Sequence, residues 1–230
     1  MAVLSFLAVP AFVWAWYAVG LSGAAWVLYD EYRVNTHVQP ALKWAWPIIV
    51  VFFSVVGLAL YVWTCRPPRI GRLQEAEAEQ VHHRYVSTTF RKVTGSVIHC
   101  VGGDGLGIVT AMVLARVWGL GFWHEFWFEY LAGFAFGWLI FQYKAMRGMA
   151  DGPLMALWMG GRAEFFSMMT VMAGMGVVMT GVTPLVVGQQ PMPSTAAFWG
   201  FAALGLLVGF LATYPMNYWL VAIKWKHGMS

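Results

Sequence analysis

Three side chains able to hold a metal ion or a proton lie together in an otherwise apolar run. The stretch GSVIHCVGGDGLGIVTAMVLARVW, residues 95–118, carries His99, Cys100 and Asp104 near one end. Ionisable groups at membrane depth cost a few kcal/mol each, so they face a cavity, a partner or a ligand. Imidazole, thiol and carboxylate are also ligand types for a soft or borderline metal. Cys100 and Asp104 are four residues apart and share a helix face, with His99 one step round. The accompanying Gly95, Gly102, Gly103, Gly105 and Gly107 strip the helix of side chains, so a neighbouring backbone or ligand can come close. Packing alone is the competing explanation, because a buried free cysteine commonly acts as a small hydrophobe.

A second set lies in EFFSMMTVMAGMGVVM, residues 164–179. With Met168 as origin, Met172, Met175 and Met179 fall at roughly +40°, −20° and +20° around a helix, and Glu164 at roughly −40°. One stripe therefore carries a carboxylate followed by four thioethers. Thioethers favour Cu(I) and bind it weakly enough to pass it on, although methionine is also a flexible gap-filler. Glu164 rises to about the level of Asp104 if the helix starts near residue 153. Two carboxylates in hydrocarbon repel unless a proton or cation sits between them. Arg162 lies about 160° from Glu164 and is a poor direct partner. His124, Glu125 and Glu129 form a small acidic mouth, either gathering cations or simply solvated. Pro215 frees a backbone carbonyl that Thr213 or Asn217 can satisfy.

The elements that must position these groups are membrane helices. The 230 residues are 60% hydrophobic and only 10% charged, far from the roughly 25% charge of soluble domains. Six apolar segments, about 3–29, 41–65, 94–117, 121–146, 153–183 and 196–223, each meet the roughly 20-residue requirement for a span. The expected fold is all-α, a polytopic six-helix bundle. Its expected parts are an N-terminal hairpin (1–65), a basic cytoplasmic loop (66–93) and a four-helix membrane domain (94–230). Six spans place ten Lys and Arg on one side, in the 66–92 loop and after the fourth and sixth spans. Arg33, Lys43 and Arg116 fall on the other. Both termini are then cytoplasmic, in a multi-pass protein expected in a bacterial inner membrane. The basic excess is a topology signal and gives nucleic-acid binding no support. The N-terminal apolar run is too long for a signal peptide and reads as the first span.

In the 66–92 loop, LQEAEAEQVHHRY favours a helix along the interface. His82 and His83 point about 100° apart and cannot readily chelate one ion; they read as solvated. Cys65 and Cys100 form no zinc motif and no expected disulfide.

Four motifs, IHCVGGDGLGI, EYLAGFAFGWLIFQ, AEFFSMMTVMAGM and TYPMNYWLVAIKWKHGM, occur in an order and spacing that resemble the membrane family called domain of unknown function 4396, over about residues 94–229. Many relatives read His-Cys-x-x-Gly-Cys-x-x-Gly-acid at the first motif. Here Asp104 stands in place of the second cysteine and Ile108 in place of the acid, which leaves a mixed N/S/O set instead of a dithiol. The resemblance implies fold and location and carries no activity.

The expected function is transition-metal binding or transport, with copper the leading ion. The site would use His99, Cys100, Asp104, Glu164 and the exit stripe Met168, Met172 and Met175. The alternative is an accessory subunit of a larger membrane complex or a homo-oligomer, whose 17% aromatic residues face partners or lipid. An enzyme or proton-relay subunit using Asp104 and Glu164 is the third class. Bis-histidine haem ligation lacks a second deep histidine, and no Gly-rich strand–helix turn suits a nucleotide.

Overall fold

The computed structural model describes residues 2–147, 150–226 and 228, and it is all-α, with no strand among them. After a 3-10 segment, Ala2–Ala8, come α1 (Pro10–Arg33), α2 (Leu42–Thr64), α3 (Glu75–Val86) and α4 (Thr89–Val117). Then α5 (Phe122–Ala135) continues through a π turn, Phe136–Gln142, into α6 (Tyr143–Arg147). α7 (Pro153–Gly176) passes through a second π turn, Val177–Val182, into α8 (Thr183–Val187), and α9 spans Ala196–Ala222. Pro10 and Pro153 open their helices, where a missing N–H costs nothing.

Five helical stretches are long and apolar enough to cross a membrane: 10–33, 42–64, 89–117, 153–187 and 196–222. The protein is a multi-pass membrane protein. The expected fourth span is also continuously helical over 122–147, but its charged and polar residues dilute it.

Length and composition mislead for the expected second span. Ser54 sits at φ 49°, ψ −124° and breaks α2 in two. The halves fold back on each other. A Cβ on Gly57 would lie 3.0 Å from Val50 Cα, and the Trp46 and Tyr61 rings meet edge to face at 5.4 Å. Leu42 and Cys65 line the same small pocket, whereas a straight helix would part its ends by about 33 Å. Each limb reaches only about 16 Å, half the hydrocarbon thickness. α2 is a helical hairpin, not one straight helix. A run of apolar side chains buries its surface equally well either way, which is why periodicity and length could not tell.

Gly200, at the start of α9, packs on the Leu7 carbonyl, and Tyr17 Oη donates to Trp199 O at 3.0 Å. At the other end of α9, Tyr214 Oη donates to Phe90 O at 3.3 Å, near the start of α4. Residues 2–8 and 224–226 therefore lie at opposite ends of the bundle.

α4 is the central helix and is buried along nearly its whole length. A Cβ on Gly102 would press on Ala45 Cα at 3.2 Å, and one on Gly107 on Gly133 Cα at 2.8 Å. Its small residues let α2 and α5 approach at backbone distance, as membrane packing favours. α7 and α9 cross as closely, Gly174 against Gly209. α3 forms where the loop sequence predicts a helix.

Candidate functional site

α4 and α7 bring Asp104 and Glu164 together, as their register predicts. Both are fully buried. A Cβ at Gly137, on the π turn after α5, would collide with both Asp104 Oδ1 and Glu164 Oε1. The two carboxyl oxygens thus flank one point, within about 4 Å of each other. Among the described residues no N–H group reaches either oxygen of Asp104 or Glu164 Oε1, but the two carboxyl groups lie within hydrogen-bonding reach of each other. One proton held between them satisfies the pair, and a cation is the other way to relieve two facing carboxylates.

Cys100 joins the pair. Its thiol donates to Glu164 Oε2 at 3.2 Å and accepts from Gln142 Nε2 at 3.3 Å. His99 is buried beside it, but its ring stands edge-on to Phe141 at 5.2 Å, and neither ring nitrogen is bonded. Among the described residues, no three His, Cys, Asp or Glu side chains converge on one metal position. Met168 packs against Gly133, where a Cβ would meet its methyl at 2.5 Å and Asp104 O at 3.3 Å. Met172, Met175 and Met179 continue away from the centre, all buried.

The structure adds a cation that the sequence reading placed among loop charges. Lys226 is only 2% exposed and reaches back into the bundle. Its Nζ donates to Cys100 Sγ, to Ser167 Oγ at 3.2 Å and to Asn217 Oδ1 at 2.6 Å. All three N–H groups of the ammonium are used. Ser96 and Ser167 also donate to Asn217 Oδ1, at 3.5 and 3.3 Å. Asn217 Nδ2 returns to Thr213 O at 3.0 Å and Thr213 Oγ1 donates to Ser167 O at 3.2 Å, so both side chains bond elsewhere than to the Leu211 carbonyl that Pro215 frees. Lys226, Gln142, Ser167 and Asn217 were not among the predicted site residues. The available signal was their place inside or beside the four motifs, three of which end on or include them.

Two other expectations are settled. Arg162 turns from Glu164 and lies over the Trp225 ring at 4.7 Å. His82 is not solvated: it is fully buried, with Nδ1 2.8 Å from Asn35 Oδ1, while His83 on the other face is exposed. Burial pushes the His82 imidazole down to about 4, so it is neutral at physiological pH.

The order of motifs that builds this centre matches the family model of a domain of unknown function, DUF4396, over residues 89–226. The chain belongs to the DUF4396 family. α4 to Lys226 is thus the DUF4396 part, while α1 and the α2 hairpin precede it. Neither the curated proteins nor the solved structures include a match to the chain.

Proposed function

We propose that this DUF4396 protein is a membrane carrier for a soft monovalent cation, copper(I) first, in which the Lys226 ammonium and the cation compete for one acidic, thiol-bearing centre. The observation that carries this reading is the pair of buried carboxyl groups facing each other at Gly137, with no N–H group from the described residues on three of their four oxygens. Lys226 supplies one positive charge near two carboxyl groups, so one more charge is needed, either a proton or a monovalent ion. The Cys100 thiol and the neighbouring thioethers select a soft ion over sodium or potassium. Swinging Lys226 out and turning His99 in would give that ion a sulfur, a nitrogen and two carboxylates. The thiol proton leaves on binding, so uptake releases protons and weakens as pH falls.

In this reading five crossings, α1, α4, α5–α6, α7–α8 and α9, replace six. Of the fourteen Lys and Arg, all but Arg116 and Arg162 then fall at the end holding the α2 hairpin mouth and Lys226. The positive-inside rule makes that end cytoplasmic and the N-terminal segment external. Arg33 and Lys43, outliers under six spans, join the majority.

Silver(I), a redox-inert probe for copper(I), tests the centre in detergent-purified protein. Cys100→Ser should weaken binding at least tenfold, and Lys226→Gln, which removes the tethered competitor, should tighten it at least tenfold. Equal affinity in all three proteins would overturn the carrier reading. Absence of binding together with stoichiometric co-purifying subunits would favour an accessory role instead.

A further inference from the structure

A cavity of about 230 Å³ opens among α4, α5 and α7 towards the end opposite Lys226. Four thioethers line it, Met112 from α4 and Met172, Met175 and Met179 from α7 and its π turn, together with Glu125 and Glu129 of α5. The cavity is open to the outside of the bundle, so its thioethers are within reach of a ligand from that end. Methionine side chains are flexible enough to adjust around what enters.

The charges around the cavity are unequal. Arg116 Nε donates to Glu125 Oε1 at 2.8 Å, and its other nitrogens are held by Pro191 O and by Gln190 Oε1 at 3.1 Å. One guanidinium therefore serves Glu125 and is pinned there. Glu129 lies within hydrogen-bonding reach of Glu125, and no second cation lines the cavity. The lining thus combines neutral soft donors with one surplus carboxyl group. Those are the requirements of a soft ion of single positive charge. Met168, the next thioether on the stripe, sits against Gly133 close to the Asp104 backbone carbonyl, between the cavity lining and the deep centre along α7.

We propose that this methionine-lined cavity is a second binding site for a soft monovalent metal ion, exchanging it between the outer face and the Asp104–Glu164 centre. The proposal rests on the carrier reading for its direction of use, but its donors are separate. Glu129 balances the charge, and Met112, Met172, Met175 and Met179 supply sulfur in changing combinations as the ion moves. The thioethers bind without deprotonation, but the proton held between Glu125 and Glu129 leaves as the ion enters, so that Glu129 becomes its counter-charge.

The test counts silver(I) by equilibrium dialysis on the full chain in detergent. Wild type should hold two equivalents. The thiol-free variant, Cys65→Ser with Cys100→Ser, should hold one. Adding Met172→Leu and Met175→Leu, nearly volume-conserving changes, should weaken that last equivalent at least tenfold. Glu129→Gln, which leaves every sulfur in place, should weaken it severalfold and serves if the combined variant does not fold. A thiol-free protein that binds no silver would overturn the second site while leaving the deep centre standing. One equivalent in wild type, unchanged without thiols but lost with the methionines, would support the cavity and remove the deep centre. Silver binding indifferent to both leucine changes and to Glu129→Gln would overturn the proposal.

Discussion

The mouth of the α2 hairpin and the centre between α4 and α7 are both buried clusters of ionisable groups, yet they are built on opposite terms. At the mouth, Asp30 receives Arg66 Nε on both oxygens, at 2.9 and 3.0 Å, and Tyr61 Oη at 2.8 Å. Asn35 donates to Cys65 O at 3.1 Å and meets His82. These bonds tie the C-terminal end of the hairpin and α3 to the end of α1. Both oxygens of buried Glu31 and Nε2 of His82 are the exceptions. In the deep centre the two carboxyl groups face each other, and Asp104 has only Glu164 as a partner among the described residues. A cluster tied by charge-paired bonds holds a fold, whereas facing acids cost stability unless a proton or cation joins them. On the proposed function, that difference separates stability from ion binding.

That contrast can be broken most forcefully at Arg66. Arg66→Ala should cost about 3 kcal/mol, since it strands a buried carboxylate; thermal unfolding in detergent reads the loss, and an unchanged midpoint would show the mouth to be incidental. Gly137→Ala should come next, at about 2 kcal/mol from overpacking, and should also abolish silver binding by driving the carboxyl groups apart. Asp104→Asn should go the other way. Removing one of two facing carboxyl groups should leave the fold as stable or stabilise it by about 1 kcal/mol, while silver affinity falls at least tenfold. A destabilised Asp104→Asn would make the deep centre structural like the mouth.

Acid sharpens the same division. His82 titrates near 4 when α3 is docked and near the ordinary value of about 6.5 when it is not. The undocked form therefore binds more protons, so docking is fully stable above about pH 6.5 and weakens as pH falls towards 4. Protection of the 75–86 amides, corrected for the intrinsic exchange rate, should fall between pH 7 and 5 in wild type and stay constant in His82→Gln. The smallest effect is expected at Ser54, whose positive φ carries strain of order 1 kcal/mol. Ser54→Gly should recover part of it as a higher unfolding midpoint.

Much of this was legible in the sequence. The spacing of Cys100 and Asp104, and the offset of Glu164 within its helix, placed three groups of one centre correctly. Helix periodicity fixes angle and depth, and depth decides which groups can meet. Two features lay beyond it. The break at Ser54 is a single backbone rotation inside VVFFSVVGLA, where every neighbour stays apolar and no proline or paired glycine marks a turn. Lys226 follows the last helix and looks like any terminal lysine. Only the packing of α9 shows that the chain turns back and carries its ammonium inwards, where it supplies one positive charge beside the carboxyl pair. The hairpin can be verified directly, because single cysteines at positions 36 and 69 should label from the same side of the membrane, and a straight second span requires opposite sides.

The central claim is that the centre moves a cation across the membrane, and flux in proteoliposomes tests it most directly. Vesicles holding wild-type protein and an internal copper(I) chelating dye should take up copper(I) faster than protein-free vesicles. The same measurement should fall to background with Asp104→Asn, although that variant stays folded. Uptake equal in wild-type, Asp104→Asn and protein-free vesicles would contradict the account.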